Sequence, residues 1–259
     1  MTAAAAPLAA AADRCAYALG LGDDALVLAQ RLMEWSAHAP TLEEDLALEN
    51  IALDLLGQAR HLLTYAGAVE GRGRDEDRLA YWRDDGEFRN LQLVEQPNGD
   101  FAATMVRQWL FSTYQRLLYQ ALRASADADL AGLGERGAKE AAYHLDHAGQ
   151  WVRRLGDGTA ESHQRTQAAV DQLWPFVAEM FAGDPVEARL VAAGVAGEGS
   201  VLRPAFDAAV DAVLVAATLC RPEAAFTARG GRTGHHTEHL GHLLAEMQHL
   251  HRSHPGATW

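Results

Sequence analysis

Two cysteines in 259 residues, Cys15 and Cys220, are too few for a disulfide framework, which points to a reducing cytoplasm. Positive charge is also scarce. Lys and Arg number 22 against 35 Asp and Glu. The resulting formal net charge of −13 argues against a nucleic-acid binder or a surface drawn to acidic lipid. With 8 prolines and 49% hydrophobic residues, the composition is that of a folded chain rather than a disordered one. The uncharged run at 212–220 is far too short to span a bilayer. No run of alternating β-branched residues reaches strand length. A Gly-rich phosphate loop, a nucleophile elbow and a Cys-Cys metal pair are absent, so dinucleotide-binding, hydrolase and zinc-finger readings have no support. The Ala-rich start lacks the basic opening and Leu-rich middle of a secretory signal, and residues 1–14 read as a flexible leader.

The periodicity that is present is helical. A first long helix is expected at about 23–38, with Asp23 and Asp24 at its N-terminus and Leu26, Leu28, Leu32, Met33 and Trp35 as candidate buried positions. Thr41, three residues before Glu44, opens a second as a capping box does, running towards Gly67. After an irregular stretch with a short helix near 75–83, further long helices are expected at about 100–124 and 127–155. Beyond these come one at about 159–182 kinked at Pro175, a short one after Pro185, one at about 203–220 and a last one at about 236–252. Four long helices with additional C-terminal ones, and no linker polar enough to divide the chain, predict a single all-α domain over 1–259.

Polar residues interrupt two of the long helices at helical spacing. Asn50, Asp54, Gln58 and His61 form one stripe, and Glu140, His144 and His147 form another. Either stripe alone fits a solvated face; two on separate bundle helices raise the question of an internal metal layer. Di-iron bundles take a Glu from each of two helices and a Glu-x-x-His from each of two others. Here the position three after Asp54 is Gly57, the position three before His144 is Ala141, and no carboxylate lies between Phe101 and Ala124, where Gln108, Ser112 and Gln115 stand. Too few anionic oxygens are available to offset two irons.

Several long runs carry a resemblance. They are 23–35 (DDALVLAQRLMEW), 45–60 (DLALENIALDLLGQAR), 93–101 (LVEQPNGDF), 139–144 (KEAAYH) and 234–248 (GHHTEHLGHLLAEMQ). Together they make the chain similar to the non-catalytic structural subunits of bacterial phenylacetyl-CoA epoxidase, the PaaC type, across most of 15–259. The resemblance implies a ferritin-like fold with no cofactor in this chain and a homologous catalytic subunit that holds the di-iron centre. It also implies further epoxidase subunits and a reductase as partners, the assembly epoxidising the ring of phenylacetyl-CoA with oxygen and NADPH-derived electrons. Alone, such a chain is expected to self-associate. On this reading the metal positions are degenerate, Ser112 standing where a carboxylate belongs. Asp54, Gln58, Glu140, His144 and His147 are then expected to form a hydrogen-bonded network in the former metal cavity, with no catalytic residue and no metal. The rival reading is a self-sufficient ferritin-like metal oxidase; a storage protein would need carboxylate-rich helices that are lacking.

Seven of the 12 histidines fall in the last 25 residues, with His235, His239 and His242 on one helix face. The spacing suits a stray metal, but ligands from elsewhere in the chain are not evident. Thr237, Glu238 and His239, after a glycine-rich bend, are the candidate partner interface. Trp82 beside Arg83 is a candidate exposed anchor. Arg72, Arg74 and Arg78 are a candidate phosphate site or, given the interleaved Asp75, Glu76 and Asp77, a mixed-charge turn.

Overall fold

In the computed structural model, which describes residues 5–257, no strand occurs among the described residues. The chain divides into two compact units, one formed by residues up to Pro97 with those from Gly230 onward, the other by Asn98–Arg229.

The first unit opens with α1 (Ala5–Met33) and α2 (Leu42–Glu70). The helix α1 begins upstream of the expected start at residue 23, because Pro7 falls in its first turn, where proline is tolerated, and the alanines that follow favour helix. Residues 5–14, read as leader, are therefore helical; 1–4 lie outside the described residues. The two helices form an antiparallel hairpin. Near one end Ser36 Oγ donates to Glu49 across 2.7 Å, and towards the other Gly22 faces Leu62 and Leu63 so closely that a Cβ would meet them at 3.1–3.2 Å. Leu26, Leu28 and Leu32 are buried, as are Leu48, Ile51, Leu55 and Leu62 from α2, whereas Met33, at the point where α1 ends, is exposed rather than core. The Thr41 cap holds as expected, its hydroxyl accepting the Glu44 N–H at 3.4 Å. Then come α3 (Glu76–Tyr81) and the single turn α4 (Gln92–Glu95).

The second unit is built on α5 (Phe101–Leu122) and α6 (Ala128–Gly156), again antiparallel. Phe101 meets Trp151 edge-on with centroids 5.1 Å apart, and Gly137 sits under the Tyr119 ring. The helix α7 (Ala160–Leu173) stops before Pro175, and residues Trp174–Phe181 tighten into 3-10 turns instead of continuing α-helical. Two more helices, α8 (Pro185–Ala192) and α9 (Gly199–Ala216), complete the unit. Tyr114, Phe181 and Phe206 pack as a chain of edge-on rings in its core.

Returning to the first unit, the chain forms α10 (Glu238–Met247) and α11 (His249–Ser253), with a break at Gln248 where one helix was expected. Two long antiparallel helix pairs with additional helices are the all-α, ferritin-like class read from the sequence. Among the described residues, no helix is long and apolar enough to cross a membrane.

Candidate functional site

Three carboxylates are buried in the first unit, and each has its own cation. Asp23 and Asp24 stand in the middle of α1 rather than capping its start, with 0% and 2% of their surface exposed. Arg83 forks onto Asp23, Nη1 to Oδ2 at 3.0 Å and Nη2 to Oδ1, while its plane covers the Phe88 ring at 4.2 Å. The Arg89 backbone N–H adds a third donor to Asp23 at 2.8 Å. Asp24 accepts from the Leu91 N–H at 2.7 Å and from Arg232 Nη2 at 2.7 Å. Burial pushes the Asp24 carboxyl up to about 6, even though the Arg232 guanidinium and the Leu91 N–H pull it back down.

Glu95 is the third. Its carboxylate accepts from Asn90 Nδ2 at 2.9 Å, His236 Nδ1 at 2.9 Å and the Thr237 N–H at 2.6 Å. The other ring nitrogen of His236 lies 3.0 Å from the Phe88 carbonyl. With an acceptor at both nitrogens, the ring is suited to the doubly protonated form. Burial alone would lower the His236 pKa, but Glu95 and the Phe88 carbonyl outweigh it and hold it above the ordinary histidine value. Arg31 reaches from α1 to the Glu95 carbonyl at 2.8 and 3.1 Å and to the His239 carbonyl at 3.3 Å.

The C-terminal segment is thus clasped onto the first 97 residues by charge as well as by packing. Arg232 also donates to the carbonyls of Gly20 and Arg89, and a Cβ at Gly20 would press on its guanidinium at 2.9 Å. Gly234, at φ +82, brings the backbone so near Gly86 that a Cβ would stand 2.2 Å from its carbonyl oxygen. Farther along, Gln248 donates to the carbonyls of Ala80 and Arg83, and His251 stacks on Tyr81 at 3.9 Å. Every group in this cluster is spent on another part of the same unit.

Asp54 and Gln58 lie one turn apart on α2 in the first unit, Gln58 buried and Asp54 half-buried. Glu140, His144 and His147 lie on α6 in the second, His144 fully buried and the other two half-buried. Burial also corrects the register in which a ligand pair was sought. Gly57 is exposed, with nothing within 4 Å of a Cβ built on it, so Asp54–Gly57 is not an inward pair. Of the two stripes the buried members are Gln58, three before the half-buried His61, and His144, three after the buried Ala141 and three before the half-buried His147. Where a di-iron bundle places glutamate, these pairs carry an amide and an imidazole. The hydroxyl of Ser112, fully buried on α5, accepts from Gln108 Nε2 at 2.9 Å, and the indole N–H of the adjacent Trp109 is buried without a partner. This donor set lacks the anionic oxygens that an iron pair demands, so these residues do not fit one. Among the described residues no group of three His, Cys, Asp or Glu is arranged to hold a metal ion.

The C-terminal candidates fall differently. Thr237 and His239 contribute backbone atoms to the clasp, and Glu238 is exposed. The important histidine of the region is His236, which the helix-face spacing passed over. Trp82 is half-buried under Arg78, whose guanidinium lies 4.7 Å over its ring, rather than a bare anchor. Glu70 engages Arg74 with a bidentate fork and lies 3.9 Å from Arg72, so the mixed-charge turn is the better account of those arginines. The residues missed were Arg31, Arg83, Glu95, Arg232 and His236. One signal was available: Asp23 and Asp24 interrupt an apolar run on both sides, which calls for buried counter-charge.

Comparison with known proteins gives two findings. The chain is 50% identical over 244 residues, 94% of its own length and 98% of the relative's, to an Escherichia coli (strain K12) protein named as a subunit of 1,2-phenylacetyl-CoA epoxidase. The family model described as phenylacetic acid catabolic protein matches residues 1–259. A match along the whole sequence, with half of its residues shared with a named relative, establishes that the chain belongs to the phenylacetic acid catabolic protein family.

Proposed function

We propose that this chain is a structural, non-catalytic subunit of a phenylacetyl-CoA epoxidase that works in the cytoplasm during aerobic phenylacetate breakdown. It pairs with a homologous subunit that holds the di-iron centre, within an assembly that includes further subunits and a reductase. The carrying observation is the donor set within each unit: buried Gln58 beside half-buried His61 on α2, and a hydrogen-bonded Ser112 on α5 with buried His144 on α6, supply an amide, a hydroxyl and imidazoles rather than the carboxylates that an iron pair needs. Identity to a protein named as part of such an epoxidase supports the same reading, and the self-sufficient oxidase is not favoured. On this reading Asp54 and Gln58 on α2, and Glu140, His144 and His147 on α6, are the polar remnants of the metal layer, each set held by hydrogen bonds because buried charge is costly unless paired. Glu238, at the exposed start of α10, adds a contact to the partner beside Thr237 and His239.

The test is co-expression with the homologous di-iron subunit, followed by light scattering and iron analysis of each species. The expected result is a stable hetero-complex whose iron follows the partner, with no stoichiometric iron on the isolated chain. An isolated chain that retains two irons and consumes oxygen would refute it.

A further inference from the structure

Leu42, Leu46, Leu53 and Leu56 fall on one side of α2, each between 40% and 69% exposed. They span the 15 residues 42–56, about 21 Å along the helix. Gly57 lies beside them and opens a gap in which a Cβ would touch nothing. Four exposed leucines on one face, in two pairs on either side of Glu49, are not scatter: single exposed apolar residues are ordinary, but apolar residues gathered on one helix face mark a surface that another chain covers. A stripe with a small residue beside it is also the form that accepts a second helix, whose side chains fill the gap.

The charges around the stripe choose the occupant. Glu43 and Asp45 flank its first half, and Glu49 lies between Leu46 and Leu53 on the same face. Ser36 holds the Glu49 carboxylate in place at 2.7 Å. A second copy laid antiparallel about the middle of the face would set Glu49 against Glu49, and a parallel copy would set the two acidic ends together. Both put like charges at close range, in a chain that already carries −13. We infer that this face of α2 is the docking surface for a different chain that presents an apolar helix flanked by Arg or Lys. Resting on the function proposed above, that chain is the homologous di-iron subunit.

The test compares the full-length chain with its Leu46→Glu/Leu53→Glu variant, titrated against the purified di-iron subunit by calorimetry. Both leucines are exposed, so the variant keeps the wild-type circular dichroism and thermal midpoint. Its Kd is expected to rise by at least about 100-fold, since two charges enter the centre of an apolar contact. Glu49→Lys, which reverses the central charge and disturbs no core residue, is expected to weaken binding by about 10-fold. Leu250→Glu, an equally exposed leucine on α11, binds as wild type. Wild type that binds while Leu46→Glu/Leu53→Glu binds within threefold overturns the surface and leaves the subunit reading intact. Wild type that binds no di-iron subunit overturns that reading and this surface with it. A wild-type homodimer that the double variant dissolves would show a second copy as the occupant and overturn the choice made here.

Discussion

Replacing Glu95 by alanine removes the acceptor at the centre of the clasp. Three buried donors lose their partner together: Asn90 Nδ2, His236 Nδ1 and the Thr237 N–H, now at 2.6–2.9 Å. A buried donor left without a partner costs about 1–3 kcal/mol, and breaking a buried ion pair on one side costs about 3–5 kcal/mol. These overlap, because His236 can release its proton and become neutral, so the sum is not additive. The expected loss is about 4 kcal/mol, a large part of the 5–15 kcal/mol (roughly) that a natural domain has. Urea unfolding by tryptophan fluorescence measures it. Hydrogen exchange locates it, with protection falling first in residues 230–257, the segment that His236 and Thr237 anchor. Glu95→Gln keeps the shape but must turn one N–H toward a donor, and is expected to lose about half as much. A loss under about 1 kcal/mol for Glu95→Ala, with exchange at the C-terminal segment unchanged, would refute the clasp as a stabilising element.

Three further outcomes follow from the same structure. The folded pKa of His236 lies above its ordinary value, so its contribution is complete below about pH 6.5 and declines as pH rises through the raised value. Asp24, at about 6 against an ordinary 3.8, has the same sign: its contribution falls as pH rises between about 4 and 6. Urea midpoints at pH 6 and pH 8.5 are therefore expected to differ more in wild type than in His236→Gln; equal differences would remove the ionised His236 from the account. Gly137→Ala drives a methyl into the Tyr119 ring at 2.5 Å and is expected to cost at least about 2 kcal/mol. Gly149→Ala meets Trp109 only at 3.8 Å and is expected to be neutral or to gain up to about 1 kcal/mol from helix propensity, both read from thermal midpoints.

The helices were legible because their apolar period is long and caps such as Thr41 are explicit. Where the sequence misled, tertiary context decided. Asp23 and Asp24 look like N-terminal caps, yet α1 runs through them because Arg83 and Arg232 arrive from 60 and 208 residues away. No local pattern encodes those meetings. His236 was hidden among six other histidines, and only the position of Glu95 distinguishes it. The missing carboxylates, by contrast, were visible from composition, since no acid stands between Phe101 and Ala124. The register of the inward pair on α2 was not, because Asp54 and Gln58 are both on the polar stripe and only burial separates them.

The pairing of Glu95 with His236 joins residues 141 positions apart, with the entire second unit between them. A ribosome adding roughly 5–20 residues per second makes the imidazole on the order of ten seconds after the carboxylate. For that interval Glu95, and with it Asp24, waits for a counter-ion that has not been synthesised, and the helices around them cannot close dry. The second unit, whose residues are contiguous, has no such wait. Its assembly is expected to come first on the ribosome, with the earlier-made helices remaining open to chaperones until the final segment emerges. Released chains that end at residue 229 would then show a protease-resistant 98–229 core beside a cleavable 5–97 region.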